Sequence, residues 1–182
     1  MSADLVSRRL RLEPLRAEHT DVVWPHQNDP ALYTYQPDDP LPLDALARRY
    51  GFLAGAKSPD GQEDWLNWVA FQRTSGQAVG TFQATVPAAG DIQLAYMVFS
   101  AHWRQGYGGE MATTVIEHLF ARYRDRAALS AEIDTRNAPS IALVERQGFT
   151  RVKTTLGADH FKGASSDEFT YRMTRAMWLA RA

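Results

Sequence analysis

The chain has 182 residues, of which 45% are hydrophobic and 23% are charged, a composition typical of one compact globular domain rather than two. Its 20 basic and 21 acidic residues give a net charge of -1, so the chain has no large basic field to hold a nucleic-acid backbone. The lack of cysteine excludes disulfides, thiolate metal sites and a cysteine nucleophile.

The order of apolar and polar residues predicts a mixed α/β chain. Alternation over Arg9 to Glu13 predicts a first strand, which Pro14 ends. The other predicted elements, in chain order, are helices over 17–28 and 43–56, a hairpin of strands 65–71 and 78–86, a strand over 92–99, a helix over 110–123, a strand over 128–133, a helix over 139–147, and strands over 149–155 and 169–174. The segment 157–167 is predicted to be a mobile loop.

The sequence shows no pattern typical of a targeting segment or of a linker between domains. The first residues lack the apolar stretch of a secretory signal, and no run of about 18 apolar residues is present to span a membrane. We therefore expect a cytoplasmic protein without a membrane partner. No internal repeat or long linker occurs, so residues 1–182 are treated as a single domain.

A glycine-rich segment, Gly106 to Gly109, lies between a predicted strand and a predicted helix. Backbone N–H groups and the positive end of the helix would converge there, an arrangement that suits a phosphate. A tight turn without a ligand explains the same glycines. The dinucleotide-binding spacing fails because its third glycine position is Met111, and a nucleoside-triphosphate loop fails because Glu110 stands where lysine is needed.

Two sequence motifs follow one another about thirty residues apart. The first, Trp-x-x-Gly-Tyr-Ala/Gly-x-Glu-Ala, corresponds to Trp103 to Met111, after a strand in which Leu94-Ala95-Tyr96 stands for Ile-Gly-Tyr. The second, Asn-x-x-Ser-x-x-Leu-x-x-x-x-Gly-Phe, is met by Asn137, Ser140, Leu143, Gly148 and Phe149. With the opening Arg8 to Leu12 and the closing Tyr171 to Thr174, the chain resembles the GNAT superfamily of N-acetyltransferases, in the branch of the Rim-type ribosomal-protein N-terminal acetyltransferases.

The resemblance implies both a fold and a reaction. The fold would be α/β (mixed α+β), with a central mixed, mostly antiparallel sheet that is flanked by helices and splayed in the middle to admit acetyl-CoA. The reaction would be transfer of an acetyl group from acetyl-CoA to a primary amine by direct attack on the thioester. The acceptor, a small molecule or a protein N-terminus, stays open. A homodimer or a monomer is compatible with the family.

The resemblance also implies which residues contact the coenzyme. Backbone amides from about Gln105 to Glu110 would hold the pyrophosphate, and Arg104 would add positive charge. The amides of Met97 and Val98, on the splayed strand, would bind the pantetheine and polarise the carbonyl. Asn137 would support the coenzyme or a bridging water, or would cap a helix. The coenzyme contacts implied in this way are Met97, Val98, Arg104, Gln105, Gly106, Tyr107, Gly108, Gly109, Glu110 and Asn137.

Acetyl transfer also needs a proton for the departing thiolate. Many members of the superfamily use a tyrosine just after the motif leucine, but Val144 stands at that position. Ser140 is therefore the candidate general acid, with capping of its helix as the alternative role. Asp134, Glu132 and His160 are candidate bases, and none is favoured.

The remaining signals leave the acceptor undefined. Asp38, Asp39 and Asp44 would attract a cationic amine or simply be solvated. Aromatic residues of the first half line an acceptor pocket or pack in the core; they are Trp24, Tyr33, Tyr35, Trp65 and Trp68. The five histidines lack the His-x-x-x-His spacing of a helical zinc site, so no metal is expected. Two alternatives remain open: an acyl-CoA-binding GNAT-fold module with little or no turnover, suggested by Gln93 and Val144, and a structural α/β domain without coenzyme.

Overall fold

The computed structural model describes residues 3–181. Its strands are β1 (Leu5–Val6), β2 (Leu10–Pro14), β3 (Asp64–Gln72), β4 (Ala78–Val86), β5 (Ile92–Val98), β6 (Ala128–Asp134), β7 (Thr150–Phe161) and β8 (Ala164–Thr174). Its α-helices are α1 (Thr20–Gln27), α2 (Leu43–Leu53), α3 (Tyr107–Arg122), α4 (Ala138–Arg146) and α5 (Arg175–Leu179). None of the helices in this range is long and apolar enough to cross a membrane.

The strands form one eight-stranded sheet in the order β1-β2-β3-β4-β5-β6-β8-β7. Every neighbouring pair is antiparallel except β5 and β6, which are parallel. Helices cover both faces of the sheet. This architecture confirms the predicted fold class, a mixed and mostly antiparallel sheet flanked by helices.

The sheet opens in its middle. Within the described residues, β5 and β6 pair only through Ile92 with Leu129 and Gln93 with Ser130. Beyond these pairs the two strands diverge, although β5 stays paired with β4 as far as Val98. The expected splay is therefore present. It leaves one edge of β5 unpaired inside the sheet, where its backbone groups are available to a ligand.

Two apolar clusters, one on each face, hold the sheet to its helices. On one face, α3 buries Met111, Val115 and Leu119 at intervals of four residues, with Ile116 beside them, so the four form a single stripe. On the other face, α1 and α2 pack against Val69, Phe71 and Phe99. Strand β3 contributes to both clusters, which explains why its sequence is apolar almost without interruption.

The prediction of a mobile loop over 157–167 is wrong. Strands β7 and β8 form a long antiparallel hairpin there, closed by Lys162 and Gly163, which both have positive φ, 52° and 77°. Such a two-residue turn suits the right-handed twist of the strands. The sequence hides this hairpin because β7 is exposed on both faces and so lacks the alternation that marks a half-buried strand.

Candidate active site

A cleft opens where β5 and β6 diverge, and the first turns of α3 and α4 border it. Gly108 on α3 fits between β5 and α4. A Cβ atom at this glycine would lie 2.6 Å from Leu143 Cδ1 and 3.2 Å from Val98 Cγ2. A side chain at 108 would fit only if Leu143 moved, so glycine there lets α3 approach the two other elements closely.

The loop before α3, residues 103–106, has an unusual backbone conformation; we call it the anion cradle after the ligand that its position suits. Gly106 adopts φ 80° and Arg104 adopts φ 58°, so two residues of this loop are left-handed. A left-handed arginine costs about 1–2 kcal/mol, a strain that is typical of functional loops. The exposed Arg104 side chain lies beside the start of α3, where a positive charge favours a bound anion.

The backbone amides at the start of α3 differ in whether they already donate a hydrogen bond within the helix. The Glu110 amide donates to the Gly106 carbonyl at 3.2 Å and closes the first helical turn. The amides of Tyr107, Gly108 and Gly109 precede that bond and have no partner within the helix. The Glu110 amide is therefore already used within the helix, whereas the three amides before it have the free arrangement that suits an anion.

The free edge of β5 offers the Val98 backbone rather than that of Met97. The Phe99 amide donates to the Val79 carbonyl at 2.9 Å, and hydrogen-bonded pairs alternate along an antiparallel ladder. Met97, paired with Thr81, therefore directs its amide into the β4–β5 ladder. The expectation that this amide reaches the coenzyme is wrong for that reason. The Val98 carbonyl points away from β4 and accepts from the Trp103 indole at 2.7 Å, so the Val98 amide faces the cleft too.

A pair of hydroxyl groups lies in the cleft. The Tyr96 hydroxyl, from β5, lies 2.6 Å from Ser140 Oγ, from the first turn of α4. Burial raises the pKa of Tyr96 to about 12, although the bond to Ser140 opposes the shift. Tyr96 is therefore a neutral hydrogen-bond donor at ordinary pH. When it donates to Ser140 Oγ, the proton of Ser140 is free to point into the cleft.

Asn137 and Asp134 set the position of Ser140. The Asn137 side chain accepts the Ser140 amide at 3.2 Å and caps α4, so the capping role belongs to Asn137 and not to the Ser140 hydroxyl. Asp134 accepts from Arg136 at 2.6 Å and from Ser166 at 2.5 Å. The bond to Arg136 lowers the pKa of Asp134 to about 2, against the effect of burial. Asp134 is thus a fixed anion that orders the turn before α4.

The cleft continues into a cavity of about 390 Å³. Its floor comes from β4, β5 and β6, and its other walls come from the proline-rich segment 33–41 and from α2. We call the end formed by segment 33–41 and α2 the acceptor end. Its lining side chains are Tyr33, Tyr35, Asp38, Asp39, Arg49 and Tyr50. Ser140, Tyr96 and Glu132 line the same cavity. A molecule held at the acceptor end can therefore reach the hydroxyl pair.

The tip of the β7–β8 hairpin ties down the proline-rich wall. Lys162 Nζ donates to the backbone carbonyls of Tyr33, Gln36 and Asp38 at 2.6, 2.9 and 3.1 Å. Its charge also lies 3.6 Å from an Asp39 carboxylate oxygen. One ammonium group thus fixes three carbonyls at the end of a 3-10 helix and in the loop after it, and the cavity is walled on this side.

Comparison with known proteins places the chain in a family. The acetyltransferase (GNAT) domain family matches residues 9–150. The chain belongs to the GNAT acetyltransferase family. As a member of that family it is an acetyl-CoA-dependent acyltransferase, which confirms the resemblance drawn from the two motifs. A search of curated proteins gave no match.

Solved GNAT structures share the fold at low sequence identity. An acetyltransferase from Bacillus anthracis superposes with a TM-score of 0.82 at 16% identity, covering 94% of this chain and 98% of that one. A ribosomal-protein-S5-alanine acetyltransferase from Vibrio fischeri gives 0.80 at 12% identity, covering 97% and 99%. A spermidine N-acetyltransferase from Vibrio cholerae, in complex with CoA and spermine, gives 0.79 at 14% identity, covering 95% and 99%.

The GNAT site draws on only some of the candidate residues. Of the candidate bases, Asp134 is committed to Arg136, and His160 is exposed on β7 outside the cavity lining, which leaves Glu132. Asp44 pairs with Arg48 at 2.7 Å on α2 and does not line the cavity. Across residues 3–181, no group of three or more His, Asp or Glu side chains is arranged to hold a metal ion.

The aromatic candidates separate in the same way. Tyr33 and Tyr35 line the cavity, whereas Trp68 is buried in the core at 2% exposure. Sequence reasoning assigned no chemical role to Tyr96, Lys162 or Tyr50. Tyr96 was the one with a signal, because it ends the motif Leu94-Ala95-Tyr96 on β5, two residues before Val98, whose amide faces the cleft.

Proposed function

We propose that this GNAT enzyme transfers the acetyl group of acetyl-CoA to a primary amine, and that the amine attacks the thioester directly. One observation carries the proposal: the free amides that begin α3 and the unpaired edge of β5 border a single cleft, which also contains the Tyr96–Ser140 pair. Amides at a helix start suit a pyrophosphate, and an open strand edge suits the amide groups of pantetheine.

The chain's own groups supply the needs of the reaction. The Val98 amide is the donor for the oxygen that gains charge as the amine attacks. A nitrogen–carbon bond forms, the carbon–sulfur bond breaks, and the proton lost by nitrogen balances the proton gained by sulfur. Ser140 gives its proton to the sulfur and regains one through water from the base that deprotonates the amine, while the Tyr96 hydroxyl, 2.6 Å from Ser140 Oγ, hydrogen-bonds to the serine.

Glu132 is the proposed base. It lines the cavity on the diverging strand β6, is exposed to solvent, and lies outside the network that occupies Asp134. An α-amino group has a pKa of about 8 and an alkyl amine one of about 10.4, so the amine is mostly protonated at neutral pH and a carboxylate acting through water is proposed to remove its proton.

A small-molecule amine is the acceptor that the cavity favours. A peptide site needs an open groove, whereas Lys162 ties the 33–38 wall to the hairpin tip. The carboxylates of Asp38, Asp39 and Glu132 line the space together with one guanidinium, that of Arg49, so the acidic groups are in excess and favour a cation. The relatives support both classes, since one acts on a ribosomal protein and another is complexed with spermine.

The test begins with acetyl-CoA, a panel of small primary amines and a panel of peptides with free N-termini. Thiol release that depends on a small amine supports the proposal. Release with peptides alone moves the acceptor class to protein N-termini. Tight acetyl-CoA binding without thiol release under any condition refutes transfer and leaves the acyl-CoA-binding module.

Two conservative variants then test the proton path. Ser140→Ala should lower kcat by about 100-fold or more, the contribution typical of a general acid, and Tyr96→Phe should lower it by a smaller factor, with little change in acetyl-CoA affinity in either variant. The double variant should lose no more than the worse single variant, because both hydroxyls act on one proton. Full turnover in Ser140→Ala would remove Ser140 as the acid.

A further inference from the structure

Arg9 connects the start of β2 to the anion cradle and to the helix that follows it. Its Nη1 donates to the Gln105 carbonyl at 3.0 Å, and its Nε donates to Glu110 Oε2 at 2.6 Å. Its guanidinium also lies over the Tyr107 ring, 4.5 Å from the ring centre. One side chain therefore contacts three residues of the Gln105–Glu110 segment from across the fold.

Glu110 is the anchor of this contact. Its Oε1 accepts from the Ser7 hydroxyl at 2.6 Å and from the Arg9 amide at 2.7 Å, beside the guanidinium bond to Oε2. Burial alone would raise the pKa of Glu110, but the bonds from Ser7 and Arg9 outweigh it and lower the pKa. The carboxylate is thus ionised and turned away from the free amides, and its charge cancels that of Arg9.

The bond to Gln105 controls the direction of an amide. In a trans peptide the carbonyl and the following N–H point in opposite directions. With the Gln105 carbonyl held against Arg9, the Gly106 N–H points away from Arg9. A Cβ at Gly106 would lie 3.3 Å from Arg9 Nη2, so the guanidinium packs directly behind this peptide.

Tyr107 completes the support. Its ring receives the Arg9 guanidinium on one face, and its hydroxyl accepts from Gln72 Nε2 at 3.0 Å. The first residue of α3 is therefore fixed by Arg9, which directly precedes β2, and by Gln72 of β3. Because the Tyr107 and Gly108 amides follow directly, their direction depends on the same contacts.

We infer that Arg9 is a positioning residue for the pyrophosphate of the coenzyme, one that acts by orienting the loop amides and not by its charge. The inference rests on the proposed function, since it assigns Arg9 to the same coenzyme site. Arg9 supports the loop from the β2 side, whereas the cleft lies on the side of β5 and α4. A charged pair that is neutral overall adds little long-range attraction for an anion.

The experiment compares two acyl donors. Arg9→Gln should raise the KM for acetyl-CoA about tenfold, the value expected when loss of one charged hydrogen bond misaligns the amides, with kcat unchanged. The KM for S-acetylpantetheine, which lacks the pyrophosphate, should not change. Arg73→Gln is the matched control, because Arg73 donates to the Ser7 and Arg8 carbonyls next to this site without contacting the loop.

Glu110→Gln separates orientation from charge. If Arg9 acts through orientation, loosening its anchor weakens acetyl-CoA binding. If charge dominates, removing an anion near the phosphates strengthens binding, and that result would overturn the inference. Arg9→Lys keeps a cation near Glu110 but cannot also hold the Gln105 carbonyl with a rigid fork, so it should lose affinity while remaining folded.

The outcomes keep the two proposals apart. If the parent enzyme fails to bind acetyl-CoA, the proposed function fails before Arg9 is tested. If the parent binds and Arg9→Gln binds equally well, only the role of Arg9 fails. Equal losses with both acyl donors, or the same loss in Arg73→Gln, would show that Arg9 serves stability alone and would also overturn the inference.

Discussion

Adjacent glycines at the start of α3 allow a matched test of the close approach in the cleft. A Cβ at Gly108 would lie 2.6 Å from Leu143 Cδ1, whereas a Cβ at Gly109 would meet Gln147 Nε2 at an ordinary 3.6 Å. Both glycines are helical, so alanine gains helix propensity and loses unfolded-state freedom equally at each, worth ~0.5–1 kcal/mol.

The two variants should therefore move stability in opposite directions. Gly109→Ala should gain most of that amount. Gly108→Ala must displace Leu143 or move α4, an overpacking cost of about 1–3 kcal/mol, for a net loss of about 1 kcal/mol. Urea unfolding should separate the variants by roughly 2 kcal/mol at an unchanged m-value.

The same displacement should weaken coenzyme binding. Leu143 and Val98 belong to the elements that border the cleft, so Gly108→Ala should also weaken acetyl-CoA binding about fivefold, or ~1 kcal/mol, by calorimetry. Equal stability of the two alanine variants would refute the steric account, because helix propensity alone does not distinguish the positions.

The remaining predictions concern the cavity wall and the turn before α4. Lys162→Met should raise the KM for the acceptor and speed hydrogen exchange over 33–38, with the KM for acetyl-CoA unchanged; an unchanged acceptor KM would argue against the tether. Asp134→Asn should cost roughly 2 kcal/mol at pH 7, from the fall of its pKa from 3.8 to about 2. Because the folded pKa is depressed, this contribution is complete above about pH 4 and is lost as the pH falls towards 2, so denaturation curves of variant and parent should converge in acid. A constant difference across that range would contradict the assignment.

The central elements of the fold were predictable because their patterns reflect burial. Strand β4 is buried along most of its length, and the apolar stripe of α3 reports the face that meets the sheet. The β7–β8 hairpin was not predictable because both faces of β7 are exposed and its turn, Lys162-Gly163, differs from the Asn-Gly and Asp-Gly pairs that usually mark such turns. Its pairing is decided by backbone hydrogen bonds to β8, which leave no trace in the hydrophobic pattern.

Two parts of the candidate site were predictable from the sequence: the glycine segment at the start of α3 and the motif serine, Ser140, on α4. The sequence could not show whether the Met97 amide or the Val98 amide faces the cleft. The answer depends on which residues of β5 form the hydrogen-bonded pairs with β4. The sequence could not separate the Glu110 amide from its neighbours either, because the first helical turn closes at that residue. Ladder register and helix start are properties of the folded chain.

In the proposed mechanism, the phenol group beside Ser140 comes from a different element than the tyrosine acid of many relatives. Val144, where many relatives have the tyrosine acid, is 3% exposed and packs in the main apolar cluster, so a phenol there would have to enter the core. Tyr96 brings a phenol to Ser140 from β5 instead, at 2.6 Å. Because β5 also carries the Val98 amide, one strand then holds both the proposed donor for the developing oxyanion and the support of the proposed proton donor. Divergence of β6 from β5 exposes both groups to the same cleft, and the splay of the sheet is therefore the feature on which the proposed chemistry depends.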